Sequence, residues 1–159
     1  MTFPTLLTKP NKLLTRNHLL SLHYSLKGPW GLCFCAEANV GREPRGQVVK
    51  VMYDEKTNRI LKVSNQSFNI PLSLTVDWAN YSDGASLQFF KCGCCSFCED
   101  GNRFLLLSDG SITTEKDKNL FVGYRPTDDN SLNNMALVLV EANSSKLKKL
   151  YFSDLIQRF

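Results

Sequence analysis

The chain lacks a catalytic signature. Its 159 residues contain no Gly-x-Ser-x-Gly elbow, no His-Glu-x-x-His pair and no glycine-rich phosphate loop, so the short motifs of acyl transfer, zinc hydrolysis and nucleotide binding are all missing. Histidine is scarce: His18 and His23 are the only two, and neither has a cysteine or carboxylate at nucleophile or metal spacing. No apolar run approaches the ~20 residues of a membrane-spanning helix. No segment carries a long capped stripe of period 3.6, which argues against a helical fold. Acids are absent before Glu37, while Lys9, Lys12, Arg16 and Lys27 precede it. A basic, acid-poor start suits an organelle transit segment, but Pro4 and Pro10 break the amphipathic helix it would need. The apolar pairs Leu6-Leu7, Leu13-Leu14 and Leu19-Leu20 are interrupted by charge or proline, so no secretory core forms. The expectation is a partly ordered basic leader over 1–16 and a single domain over 17–159. Its expected location is the cytoplasm or, by a leaderless route, outside the cell.

Short apolar runs bounded by turn residues fill the chain instead. Strands are expected at Leu19-Tyr24, Leu32-Ala36, Val48-Tyr53, Ile60-Val63, Leu72-Val76, Leu87-Phe90, Phe104-Leu107, Leu120-Val122, Leu137-Val140 and Leu150-Phe152. Turn chemistry falls between them at Gly46, Ser82-Asp83-Gly84, Asp109-Gly110 and Asp128-Asp129-Asn130, where Gly, Asp and Asn tolerate positive φ. This pattern predicts an all-β sandwich or barrel. A hydrophobic content of 43% and a charged content of 21% are ordinary for a packed domain.

One stretch nearly repeats. Asn58-Arg59-Ile60-Leu61-Lys62-Val63-Ser64-Asn65-Gln66-Ser67-Phe68 returns as Asn102-Arg103-Phe104-Leu105-Leu106-Leu107-Ser108-Asp109-Gly110-Ser111-Ile112. Such recurrence is what copies of one supersecondary unit leave behind. Alternate residues of a strand face opposite sides. Because Lys62 takes the place of Leu106, the expected buried parity is Leu61/Val63 and Leu105/Leu107, with Leu20/Leu22 and Leu150/Phe152 alike. Leu32/Phe34, Leu74/Val76 and Leu120/Val122 form a second set. Val49/Val51, Leu87/Phe89 and Leu137/Leu139 form a third. Three strand types recur in the same order, although the first appears four times.

The segments Gly31-Leu32-Cys33, Leu87-Gln88-Phe89-Phe90-Lys91-Cys92, Asn102-Arg103-Phe104 and Ser108-Asp109-Gly110-Ser111-Ile112 carry a resemblance. Between Gly31 and Ile156 the chain resembles a β-trefoil with pseudo-three-fold repeats, and within that group the ricin-B-type lectins; no copy holds a full Gln-x-Trp. Trefoils of the interleukin-1 and fibroblast-growth-factor type are similar as well. A rival resemblance starts at Gly28-Pro29-Trp30, which looks like the Gly-x-Trp opening of lipocalins, up-and-down barrels that carry a small apolar ligand.

The lectin resemblance implies a non-enzymatic module that binds carbohydrate through one degenerate site in the middle repeat. Asp77 would be the hydroxyl-binding carboxylate, Gln88 and Asn102 the amides and Phe90 the stacking aromatic. Cys35 and Gly123 replace the carboxylate in the other repeats, and Gly101 stands where a second amide is usual. The cytokine resemblance implies a protein receptor as partner instead.

The six cysteines admit three readings. Cys92, Cys94, Cys95 and Cys98 could hold zinc, since Cys-x-x-Cys lets two sulfurs reach one ion, though four ligands in seven residues leave little slack for a tetrahedron. Cys33/Cys35 with Cys95/Cys98 is a mixed alternative; disulfides and reduced thiols are the others. Lys146, Lys148, Lys149 and Arg158 suit either a polyanion or a solvated strand flank. They lack the interleaved aromatics of a nucleic-acid site.

Overall fold

The computed structural model describes residues 5–6, 20–30, 33–41, 47–48, 50–63, 72–90, 98–126, 134–151 and 155–156, with side chains described within 38–41, 51–62, 72–90, 98–126 and 134–151. Most of the expected leader over 1–16 lies outside them. The chain is all-β. Its strands begin with β1 (Thr5–Leu6), β2 (Leu20–Trp30), β3 (Cys33–Gly41), β4 (Gln47–Val48), β5 (Lys50–Asp54) and β6 (Arg59–Val63). β7 (Ser73–Val76) runs into a 3-10 turn at Asp77–Ala79, followed by β8 (Leu87–Phe90) and a single helical turn, α1 (Cys98–Gly101). β9 (Phe104–Leu106), β10 (Ile112–Thr114), β11 (Leu120–Tyr124), β12 (Met135–Glu141), β13 (Lys148–Lys149) and β14 (Leu155–Ile156) complete the order. No helix among the described residues is long and apolar enough to cross a membrane.

Local chemistry sets the reversals. Between β5 and β6, the Asp54 carboxylate accepts from the Lys56 N–H at 3.0 Å and the Thr57 hydroxyl at 2.9 Å. Asn58 closes that turn at φ 57°, donating its N–H to the Asp54 carbonyl at 2.7 Å. Asn is among the side chains that tolerate this left-handed region best. Between β9 and β10, Gly110 takes φ 91° and the Asp109 carboxylate accepts from the Ser111 N–H at 2.9 Å and hydroxyl at 2.6 Å.

Two antiparallel meanders result, β5-β6-β7-β8 and β9-β10-β11-β12. They are joined by β3, which pairs with β8 through Cys35–Glu37 and with β12 through Asn39 and Val40. Consecutive strands are neighbours throughout an up-and-down barrel; the insertion of β3 between β8 and β12 departs from that order. Gly28-Pro29-Trp30, expected to open a strand, instead ends β2, where Trp30 pairs with Cys33 in the β2–β3 hairpin. The recurring units agree in part. The second-type strand pairs with the third-type strand as β7 with β8 and as β11 with β12, whereas β3 pairs with β2, β8 and β12.

The sheet curls into a half-barrel around one core. Phe89, Phe104, Ile60, Leu87, Leu137, Leu139, Val40 and Val51 are its largest fully buried side chains, drawn from both meanders and from β3. β12 is buried on both faces, because Val138 and Val140 pack with Leu147 on the side away from that core. The expected parity holds for Leu74/Val76, Leu87/Phe89, Leu120/Val122 and Leu137/Leu139, all buried. In the near-repeated strand it is reversed. Ile60 and Phe104 face the core with Leu106 packed against it, while Leu107 is 39% exposed. Phe104 brings the largest apolar area of its strand, so burying its face is the more favourable choice. Lys62 is accommodated half-buried, as a lysine stem can lie along an apolar sheet.

The two near-repeated segments meet in space. The Phe104 N–H donates to the Asn58 carbonyl at 2.7 Å. The Tyr53 hydroxyl lies 2.9 Å from both the Phe104 carbonyl and Asn58 Oδ1, with its one proton available to either. Asn58 Nδ2 in turn donates to Glu115 Oε2 at 2.9 Å. Burial raises the Tyr53 pKa, which keeps the phenol protonated as a donor at this joint.

Candidate functional site

The site is built where β7 ends. Val76 pairs with Leu87 and Thr75 with Gln88, so the chain leaving β7 emerges beside the start of β8. The Asp77 N–H donates to the Ser86 carbonyl at 2.9 Å, and the Asn80 N–H closes the 3-10 turn on the Asp77 carbonyl at 3.2 Å. This turns the Asp77 carboxylate toward β8, where Gln88 Nε2 lies 3.5 Å from Asp77 Oδ2. Both side chains are half-buried. At that separation the bond between them is long and weak.

Two of the expected site residues thus come together and two are withdrawn. Phe90, on the same face of β8 as Gln88, is held in mid-sheet between Ser73 and Cys35 and is only 7% exposed, so its ring has no face to offer. Asn102 is fully buried between α1 and β9. The lectin resemblance placed these two in the site; their burial comes from the neighbouring strands and α1.

Sequence reasoning also missed a residue. Trp78, directly after Asp77, is 78% exposed. It occupies the left-handed region at φ 56°, followed by Ala79 at φ 52°. Such backbone costs about 1–3 kcal/mol per residue and persists where surrounding structure enforces it. The available signal was an aromatic inside the polar stretch Asp77-Trp78-Ala79-Asn80-Tyr81-Ser82-Asp83-Gly84, where no strand needs it.

The turn is braced on its far side by α1. The Tyr81 hydroxyl donates to the Asp100 carbonyl, and Lys116 Nζ lies 5.4 Å from the centroid of the Tyr81 ring. Burial, then the nearby Asp100 and Glu115 carboxylates, raise the Tyr81 pKa, so the hydroxyl stays a donor. Gly101 presses onto β7 so closely that a Cβ would lie 2.8 Å from the Val76 carbonyl oxygen. Cys98, at the start of α1, is fully buried and disulfide-bonded, with its sulfur 3.9 Å from Thr75 Oγ1.

A sulfur committed to a disulfide is not a thiolate ligand, so Cys98 does not supply the fourth ligand expected of a Cys92/Cys94/Cys95/Cys98 zinc set. The other three lie outside the described residues, as do the side chains of Cys33 and Cys35. Among the described residues no group of three or more His, Cys, Asp or Glu is placed to hold a metal.

The basic C-terminal stretch forms a different surface. β13 pairs with β11 through Gly123–Lys149 and Tyr124–Lys148. A cleft of about 440 Å³ opens there, lined by Tyr124, Glu141, Ser144, Lys148, Lys149 and Tyr151 among others. Lys149 Nζ stands 3.8 Å from the centroid of the Phe121 ring. With Glu141 in the same cleft and Lys149 turned to an aromatic face, this is a mixed-charge strand flank.

No family model and no curated protein matches the chain.

Proposed function

We propose that the chain is a non-enzymatic binding module that recognises carbohydrate through the Asp77–Gln88 pair, on a divergent β-trefoil whose second and third units keep the β7–β8 and β11–β12 pairings. The observation that carries the reading is the approach of Gln88 Nε2 to Asp77 Oδ2 at 3.5 Å, both half-buried at the open end of β7. A carboxylate that accepts beside an amide that donates is the complement of two neighbouring sugar hydroxyls, each of which does both. A glycan array probed with the purified protein tests this. The expected result is binding to a defined set of glycans that Asp77→Ala abolishes; an array without signal, or a signal that Asp77→Ala leaves intact, overturns it.

A further inference from the structure

The chain has two tryptophans, Trp30 at the end of β2 and Trp78 in the turn after β7. At 78%, Trp78 is the more exposed of the two exposed large hydrophobic side chains among the described residues. Its φ of 56° and ψ of 20° put a bulky side chain in a region that normally suits glycine or asparagine, and Ala79 follows at φ 52°. Both features count against stability: an exposed indole forgoes burial, and the backbone is strained.

The fold nevertheless holds the chain before and after the turn. Asp77 is tied to Ser86 at 2.9 Å. Beyond the turn, the Gly84 N–H donates to the Leu139 carbonyl and the Leu139 N–H to the Ala85 carbonyl, both at 2.8 Å. The Asp83 carboxylate accepts from the Glu141 N–H at 2.8 Å. The close seat of Gly101 on Val76 fixes the other flank. β12 and α1 thus hold the chain on either side of Trp78, and strained backbone kept by its surroundings concentrates at sites such as ligand clamps.

An indole held toward solvent, next in the chain to a carboxylate–amide pair, has the chemistry of half a sugar site. One face of a pyranose is a patch of C–H groups that stacks on an aromatic ring, while its hydroxyls require polar partners; the ring supplies burial and the polar groups supply direction. We infer that Trp78 is the stacking platform of this site, in place of the buried Phe90, and that the ligand is a pyranose with an unobstructed C–H face. This inference rests on the carbohydrate reading of Asp77 and Gln88.

The test uses the full chain in two formats. In a Trp30→Phe background, where Trp78 is the sole tryptophan, emission and acrylamide quenching are followed while methyl β-galactoside, methyl α-mannoside or N-acetylglucosamine is added. At least one sugar should shift the emission to the blue and protect it from quenching. In the unmodified background, array binding should weaken about tenfold or more in Trp78→Ala and by less than about threefold in Trp78→Phe, because a second aromatic restores the stack. Asp77→Asn should abolish binding in both formats. If Trp78→Ala binds as the parent does while Asp77→Asn does not bind, the platform is overturned and the carbohydrate reading stands. If no glycan or free sugar binds the parent, the carbohydrate reading fails and the platform with it. Attachment through Trp78 to a protein, undisturbed by free sugars, likewise overturns both.

Discussion

In the turn between β9 and β10 the residue at positive φ is Gly110, at 91°; in the turn after β7 the positions are taken by Trp78 and Ala79, at 56° and 52°. The first turn is made from residues suited to it. Glycine meets no Cβ penalty there, Asp109 satisfies the Ser111 N–H, and the Leu107 N–H reaches the Ser111 carbonyl at 2.8 Å. The second puts Trp78 and Ala79 in the left-handed region, between Val76, on which Gly101 of α1 is closely seated, and residues 83–85, which hydrogen-bond to β12. A turn that only reverses the chain minimises local strain. The turn after β7 instead keeps left-handed backbone at Trp78 and Ala79, with Trp78 78% exposed.

Substitutions in each turn separate the two. The largest effect is expected at the root of the relaxed turn. Phe104→Ala should cost about 3–5 kcal/mol in chemical denaturation, since the ring is fully buried. Leu107→Ala, three residues on and 39% exposed, should cost less than about 0.5 kcal/mol. Equal costs would restore the opposite strand parity. Gly110→Ala should come next, losing about 1–2 kcal/mol because a Cβ is forced to φ 91°. If it proves neutral, the β9–β10 turn is not the relaxed member of the pair.

Ala79→Gly should act in the opposite sense. Relief of left-handed strain, offset by the greater flexibility of the unfolded chain, leaves between zero and about 1 kcal/mol of added stability. The same substitution should weaken glycan binding, because Trp78 is then held less rigidly; stability and binding rising together would separate the strain from the site. The smallest effect concerns pH. The Ser111 hydroxyl, then its N–H, hold the Asp109 carboxyl below its ordinary value. Its contribution is present above the usual aspartate pKa of about 3.9 and is lost as pH falls through that value and the lower folded one. Amide protection factors in β9 and β10, corrected for the intrinsic pH dependence of exchange, should therefore fall below about pH 4, and Ser111→Ala, which removes the hydroxyl but keeps the N–H, should reduce that dependence while leaving the turn after β7 unaffected.

Strand positions were legible wherever apolar runs ended in turn residues. Leu87–Phe90 has the expected boundaries, and β6, β7, β9 and β11 lie within a residue or two of expectation. β10 escaped notice because Ile112-Thr113-Thr114 has a single large apolar residue, although all three side chains are buried. Parity was readable in Leu87-Gln88-Phe89, where a polar residue separates apolar ones. In Phe104-Leu105-Leu106-Leu107 both faces are apolar, so the sequence does not distinguish them. The candidate site was half legible for a related reason. Asp77 and Gln88 are eleven residues apart and are brought together because β7 and β8 are antiparallel neighbours. The same pairing, with β3 on the other edge, buries Phe90.

By itself the sequence determined the all-β class, most strand positions and the residues able to reverse the chain, because these follow from local periodicity and backbone preference. Only the tertiary structure decided that β3 lies between β8 and β12, that Phe90 and Asn102 are enclosed while Trp78 is exposed, and that the sulfur of Cys98 is in a disulfide. Those outcomes depend on which distant strand covers which face and on which hydrogen bonds hold a turn against its own preference. A linear pattern of residue types does not contain that information.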